Sequence, residues 1–307
     1  MKSTLIIGSS VCDVNIYVQQ FPQITGDENI IKQEMTMGGC AWNVSAVFRQ
    51  LQLPYTLFSP IGKGFYGDFV KAQFQKNHVP VLIETSQKNG CCYCVVDKQG
   101  ERTFLCEHGG EYIFQKDWFT QLDMSLYQAI YICGLDIEED ANQVIYHFLK
   151  QYPHHTLYFA PGPRLFKISQ QAMHNILSLH PILHLNKQEI LAYTHQNDLE
   201  NACKILYTKT QQPIIVTLGQ EGCYFYNQTQ NFYIPTQKVP VFNTNGAGDT
   251  HLGAIMAYRI QGVIWEAKLT KSKSHGSYEN IKNSVKSFTL QSFSFINPNH
   301  LKHLLKL

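Results

Sequence analysis

The sequence predicts an α/β fold built on a mostly parallel, doubly wound sheet. Three observations carry that prediction. An apolar run, Leu5-Ile6-Ile7, passes into the loop Gly8-Ser9-Ser10. Short apolar strands then alternate with stretches of helical periodicity. Late in the chain, Asn243-Thr244-Asn245-Gly246-Ala247-Gly248-Asp249-Thr250 opens the small-residue run Gly253-Ala254-Ile255-Met256-Ala257. In chain order, Leu5 to Ile7 reads as a buried first strand and the loop after it carries Asp13. Trp42 to Leu51 is spaced as a helix, Tyr55-Thr56-Leu57-Phe58 reads as a strand, and Asp68 to Phe74 as a second helix. Strands follow at Ala129 to Cys133, Leu157 to Ala160, Ile182 to Leu185 and Ile214 to Thr217. Helices fall between them near Ala141 to Leu149, Gln170 to Leu177 and Leu199 to Tyr207. A sheet of this kind binds ligands beyond the C-terminal ends of its strands.

One segment breaks the rhythm. Cys91 to Val96, Asp97-Lys98-Gln99-Gly100 and Glu101 to Cys106 read as a hairpin with a glycine-containing turn. With the extended stretch Asn29 to Met35 it forms a small sheet projecting over a site.

Composition narrows the classes of function. The chain has 307 residues, 44% of them apolar, enough for a sizeable core. A net charge of +2 with 16% charged residues gives no basic excess for a nucleic-acid backbone. Nine cysteines, an odd number scattered through apolar stretches, fit reduced cytosolic thiols better than a disulfide framework. The apolar run at the N-terminus is too short for a signal peptide, and no run reaches membrane-spanning length. The expectation is a cytoplasmic protein with neither nucleic-acid nor membrane partners.

The glycine-rich turn at Gly246 is the most informative motif. Small residues let backbone N–H groups close around an anion at the start of a helix, so Gly246, Ala247 and Gly248 read as a phosphate site. Asp249 lies on the first turn, where the helix dipole is expected to hold it ionised. A carboxylate base beside an anion hole points to phosphoryl transfer.

Other motifs carry two readings each. Gly38-Gly39 precedes a helix whose first turn holds Asn43; the pair suits either polyol recognition or a tight turn with Asn43 assisting the helix start. Asp13 either accepts two hydroxyl protons or caps a turn. Asn186 and Glu189, one helical turn apart, suit a hydrated Mg²⁺ or a capping box. Thr217, Gly219 and Gly222 end a strand and line either nucleotide phosphates or an ordinary strand-to-strand turn. Pro161-Gly162-Pro163-Arg164 reads either as a turn from which Arg164 reaches a phosphate or, the favoured reading, as a rigid turn with a solvated arginine. Cys91 and Cys94 have C-x-x-C spacing, yet on a strand they point to opposite faces, so inert thiols are expected. None of the thirteen histidines pairs with a glutamate as in a zinc helix. No P-loop stands in the sequence, and no G-x-G-x-x-G follows the first strand, where Gly8 stands alone.

In order, Gly8…Asp13, Gly38-Gly39…Asn43, Asn186…Glu189, Thr217-Leu218-Gly219…Gly222 and Gly246-Ala247-Gly248-Asp249 resemble the ribokinase-like, or PfkB-type, carbohydrate kinases. The resemblance runs from about Leu5 to Ala267. It implies a three-layer α/β domain over residues 1–307 with a small β-sheet lid, its segments near 13–37 and 88–111. It implies that Asp249 is the base taking a proton from a primary hydroxyl, with Gly246, Ala247 and Gly248 the anion hole for the γ-phosphoryl group. Asp13, Gly38, Gly39 and Asn43 would hold the acceptor's other hydroxyls. Asn186 and Glu189 would organise Mg²⁺, directly or through water, and Thr217 to Gly222, with Gly219, would line the ATP pocket.

Two departures qualify the likeness. Asn243 stands where such kinases usually have aspartate, and Asn245 replaces a frequent threonine, which puts activation by a monovalent cation in question. Lys268 to Ser277 is polar, and Asn280 to Phe293 follows the family's adenine-pocket pattern only faintly. The expected function is an ATP- and Mg²⁺-dependent sugar kinase, with a nucleoside kinase as the alternative and a catalytically idle sugar- or nucleotide-binding protein as the reading from another class. A nicotinamide oxidoreductase is disfavoured because no such fingerprint follows the first strand. Lids of this family sometimes pair between subunits, so the resemblance also allows a homodimer.

Overall fold

The computed structural model describes residues 2–236 and 246–262. The departures at Asn243 and Asn245, and the segments Lys268 to Ser277 and Asn280 to Phe293, lie outside the described residues.

Ser3–Ile7 forms β1, and Val11–Val18 (β2) pairs antiparallel with Ile30–Gly38 (β3). The chain continues through α1 (Cys40–Gln50), β4 (Tyr55–Phe58), β5 (Pro60–Lys63), α2 (Phe65–Lys76) and β6 (Ile83–Lys88). The hairpin follows as β7 (Cys91–Val96) and β8 (Arg102–Glu107). In its turn the Asp97 carboxylate accepts from the amides of Gln99 and Glu101. Next come β9 (Tyr127–Cys133), α3 (Gly134–Glu139), α4 (Val144–Leu149), β10 (Thr156–Ala160) and α5 (Gln170–Leu177). The described chain is completed by β11 (Ile182–Asn186), α6 (Lys187–Thr194), α7 (Leu199–Thr210), β12 (Ile214–Thr217), β13 (Cys223–Asn227), β14 (Gln230–Ile234) and α8 (Ala247–Ile260).

The main sheet has the order β14-β13-β12-β11-β10-β9-β1-β4. From β4 to β12 neighbouring strands run parallel, and β12, β13 and β14 are antiparallel. Strand periodicity builds the layers. Leu5 and Ile7 face a core shared with α4, α5 and α7, while Ile6 faces a core shared with α1, α2 and α8. Both cores are closed by fully buried side chains such as Phe159 on one side and Phe48 on the other. Each such side chain contributes roughly 1.5–3 kcal/mol on burial. The layer holding α1 and α8 is tight, since a Cβ on Gly253 would stand 3.0 Å from Val47 Cγ2.

A second sheet, β3-β2-β7-β8, is the small separate sheet expected from the hairpin. Cys12, Val14 and Cys91 anchor it to the core around α1 and α2, and the hydroxyls of Tyr93 and Tyr66 meet at 2.7 Å. Two local expectations are corrected. Asp13 lies on β2 and not in a loop, because the chain re-enters extended structure at Val11 and pairs Asp13 with Thr36. The helix expected over Ala141 to Leu149 starts only at Val144, because the Asp140 carboxylate accepts from the amides of Val144 and Ile145 and fixes the turn before it. No described helix is long and apolar enough to cross a membrane.

Candidate active site

The candidate residues gather at the C-terminal ends of the parallel strands. β1 ends at Ile7, and the chain turns through Gly8, Ser9 and Ser10 into β2. Gly39 holds φ +96°, and a Cβ there would lie 2.5 Å from the Ser9 carbonyl, so only glycine lets α1 start against this loop. Gly38 abuts the Asp13 carboxyl, and any side chain at Gly38 would take that carboxyl's place. The Asn43 N–H donates to the Gly39 carbonyl at 3.0 Å, which leaves the Asn43 side chain free to reach outward. It does not cap α1, whose N-terminus has no side-chain hydrogen bond.

Asn43 instead reaches across 206 residues of sequence: its Nδ2 donates to Asp249 Oδ2 at 2.9 Å. Gly246 caps α8 with φ +69°, and a Cβ on it would lie 2.8 Å from that same Asn43 nitrogen. The Thr250 amide and hydroxyl both donate to the Gly246 carbonyl, at 2.9 and 2.8 Å, and tie down the turn. The first N–H groups of a helix have no intrahelical acceptor, so those opening α8 are available to an anion. Gly248 is exposed, and Gly246 and Ala247 are partly so.

Burial raises the Asp249 pKa above the usual carboxylate range, while hydrogen bonds from Asn43 and the Cys40 thiol hold it down. The net direction is upward, so desolvation outweighs the ionising effect expected from the helix dipole. Asp13 is pushed up to about 7, first by burial and then by the charge of Cys106. Behind Asp249 the thiol contacts continue, from Cys40 to Cys133 and from Cys133 Sγ to Asp136 Oδ2 at 3.0 Å. Asp136 also accepts from the Ser9 amide at 2.9 Å, and burial lifts its pKa to about 7.

The cofactor candidates form a neighbouring group. Asn186 ends β11 and stands opposite Thr217 at the end of β12. Asn186 and Glu189 make a full capping box: the Glu189 amide donates to Asn186 Oδ1 at 2.8 Å and the Asn186 amide to Glu189 Oε2 at 2.9 Å. Asn186 Nδ2 adds a third contact to Glu189 Oε1 at 2.7 Å. Of the two readings of this spacing, the capping one is therefore realised in full. Gly222 serves the turn between antiparallel β12 and β13, because at φ +103° it lets the Ile234 carbonyl close in. Gly219 has open space around its α-carbon and Thr217 remains partly exposed, so these two can meet a ligand.

The two groups are linked through the core by a pair that the sequence did not announce. His184 of β11 and His251 of α8 share a buried hydrogen bond, Nε2 to Nδ1, at 2.9 Å. Burial lowers both pKa values, that of His251 to about 4. A Cβ on Gly248 would lie 3.9 Å from His184 Cε1, so the end of β11 adjoins the N-terminus of α8. Arg164 is not solvated: it forms a two-pronged ion pair with Glu138. No local pattern predicts this pair or the histidine pair; only the strand order brings them together. Among the described residues, no group of three or more His, Cys, Asp or Glu side chains is gathered as a metal cage requires.

Comparison with known proteins accords with this fold. The pfkB family carbohydrate kinase profile matches residues 1–272. An uncharacterized sugar kinase of Escherichia coli, YegV, is 26% identical over 267 residues, covering 85% of this chain and 83% of the relative. The crystal structure of a ribokinase from Thermotoga maritima superposes with a TM-score of 0.78 at 19% identity, covering 100% of both chains. A nucleoside kinase from Methanocaldococcus jannaschii superposes with a TM-score of 0.72 at 17% identity, over 95% of this chain and 90% of that one.

Proposed function

Because the chain belongs to the pfkB family of carbohydrate kinases, we propose that it transfers the γ-phosphoryl group of ATP to a primary hydroxyl of a sugar or sugar-like acceptor. The observation that supports this most directly is the Asn43–Asp249 hydrogen bond beside the N-terminus of α8. It joins a hydroxyl-recognising amide, a carboxylate of raised pKa and an anion-binding helix end in one place.

In this reading Asp249 removes the proton of the acceptor hydroxyl. A carboxylate whose pKa is raised by burial is a stronger base than an ordinary aspartate, and the hydrogen bonds from Asn43 and Cys40 favour its ionised form against that burial. Gly246, Ala247 and Gly248 present N–H groups to the charge that builds on the transferring phosphoryl oxygens. Asp13 and Asn43 orient the other hydroxyls of the acceptor, with Gly38 and Gly39 leaving room for them. The small sheet excludes water from the reacting groups.

Thr217 and Gly219 line the nucleotide side. A Mg²⁺ ion bound with ATP would neutralise phosphate charge. Both Glu189 oxygens are already engaged by Asn186, so this pair fits a hydrated ion, held through water and by the phosphates, better than direct coordination. The structural likeness to a nucleoside kinase supports a nucleoside as the second class of acceptor.

Further parts of the proposal rest on single observations. The small sheet carries exposed Ile31 on one edge strand and Leu105 on the other, each 64% accessible, which supports a homodimer through it. All nine cysteines are unpaired, which supports a reducing, cytoplasmic setting. The decisive experiment is an ADP-release screen over sugars and nucleosides, with and without K⁺. Turnover that vanishes in Asp249→Asn supports the proposal. Tight acceptor and nucleotide binding with no ADP formed anywhere in the panel would establish the idle binding protein instead.

A further inference from the structure

On the small sheet, Cys92 of β7 and Cys106 of β8 stand directly opposite each other in the antiparallel register, their Sγ atoms 3.4 Å apart. Opposed residues on antiparallel strands have Cα atoms about 4.5–5.5 Å apart, inside the roughly 4.4–6.8 Å that a disulfide spans. Joining the two sulfurs means closing that gap to about 2.05 Å, with the strands left in place. The two thiols also differ in kind. Cys106 is exposed, and the hydrogen bond from Cys92, with His108 and Arg164 beside it, lowers its pKa to about 6; Cys92 is pushed far up by the same contact. Burial pushes Cys12, Cys203 and Cys223 up to about 12, so none of them supplies the first, peroxide-attacking thiolate.

We propose that Cys92 and Cys106 are a redox-active dithiol, a modification site that takes a hydroperoxide as oxidant and closes to a disulfide between β7 and β8. The Cys106 thiolate attacks a peroxide oxygen, the O–O bond breaks, and hydroxide leaves and is protonated by solvent. Cys106 is then a sulfenic acid. The Cys92 sulfur attacks the Cys106 sulfur, the S–O bond breaks, and the departing hydroxide takes the Cys92 proton as water. Two thiols lose two electrons and two protons, and hydrogen peroxide becomes two waters.

The site adjoins Asp13, which stands opposite Cys92 in the β2–β7 register. The titratable groups coupled to Asp13 are Cys12 on its own strand, Cys92 and Cys94 on β7, and Cys106 on β8. Disulfide formation removes the Cys106 charge, so Asp13 ionises at lower pH. If Asp13 binds the acceptor, as the kinase reading holds, oxidation lowers the acceptor KM on the acid side and leaves the ATP KM unchanged.

The test uses the full-length reduced chain, hydrogen peroxide and peptide mass mapping. The expected result is a single Cys92–Cys106 linked peptide and the loss of two free thiols per chain, both reversed by dithiothreitol. In Cys92→Ser, oxidation stops at a dimedone-reactive sulfenic acid on Cys106; Cys106→Ser leaves Cys92 reduced. At pH 7 Cys106 is alkylated about threefold faster than an ordinary exposed thiol, its larger thiolate fraction partly offset by lower nucleophilicity. Peroxide that consumes Cys40 or another thiol first, or thiol loss undiminished in Cys106→Ser with an unchanged melting curve, would overturn the proposal. The mass readout decides the dithiol independently of turnover; absence of turnover with D-ribose and the wider acceptor panel counts against the kinase reading alone.

Discussion

Asn43→Ala separates the two duties given to Asn43. In the folded protein its amide donates to Asp249 at 2.9 Å and opposes the burial that raises the Asp249 pKa. A hydrogen bond to a charged group contributes about 1.5–3 kcal/mol, and one pKa unit corresponds to about 1.36 kcal/mol. Removing the amide therefore raises the Asp249 pKa further. The sign follows from the base being active when ionised: activity falls as pH drops through its pKa, so the acid limb of kcat against pH moves upward. At a pH below both midpoints the variant is slower by roughly tenfold or more, and the deficit in kcat shrinks as the pH is raised. The assay is ADP release at saturating acceptor and ATP across the pH range, with the acceptor KM recorded alongside. Cys40→Ala shifts the limb in the same direction by less, because the Cys40 contribution is the smaller of the two hydrogen-bonding ones. An acid limb that stays in place while kcat drops equally at every pH would refute the coupling and reduce Asn43 to a binding residue.

Asp249→Asn abolishes turnover and at the same time stabilises the fold above neutrality. A carboxyl whose pKa is raised by folding contributes stability that is lost as pH rises through the folded value, so at pH 8 the neutral amide melts higher, by about 2–4 °C per kcal/mol relieved. Gly246→Ala places a Cβ 2.8 Å from the Asn43 amide in a left-handed conformation, which costs about 1–2 kcal/mol, and lowers kcat at least tenfold with the fold retained. The His184–His251 pair makes the fold acid-sensitive. Both pKa values are depressed, so the unfolded chain binds protons that the folded one refuses, and stability falls as pH drops below about 6.5 by up to about 2.7 kcal/mol per unit. Urea unfolding of wild type and His251→Gln at pH 7 and pH 5 measures this; equal losses in both would remove the pair as the cause. Glu189→Gln keeps a capping side chain, so thermal stability is unchanged while the Mg²⁺ concentration for half-maximal rate rises. An unchanged Mg²⁺ requirement would confine Glu189 to the capping box.

Elements whose information is local were legible in the sequence. Leu5 to Ile7, the helix after Gly38-Gly39, the hairpin around Gly100 and the turn at Gly246 each announce themselves through periodicity or glycine. The parallel order of the sheet follows from their alternation. The strand bearing Asp13 was missed because Val11 to Val18 mixes polar and apolar residues in a segment half covered by the core. Asn186 and Glu189 show the limit of spacing as a signal, since one helical turn serves a capping box and a hydrated ion alike. The contacts that define the site's chemistry were not legible at all. Asn43 meets Asp249 and Ser9 meets Asp136 through tertiary placement, which no short window of sequence encodes, and the register that sets Cys92 against Cys106 is not written in the hairpin's periodicity.

The hydrogen bond between Asn43 and Asp249 also orders events during synthesis. Every described strand of the main sheet precedes residue 235, yet the helix that brings Asp249 to Asn43 begins at Ala247. While the ribosome is still adding those last residues, the emerging sheet shows the bare flank of α1 around Val44 and Val47, which α8 later covers. The nascent chain therefore passes through a stage with the described strands in place, an uncovered apolar face and no Asp249 beside Asn43. Contacts between partners so distant in sequence form slowly and leave such faces open to aggregation. Arrested chains ending before Ala247 should bind trigger-type chaperones strongly, and those extended past Ile260 and clear of the exit tunnel should release them.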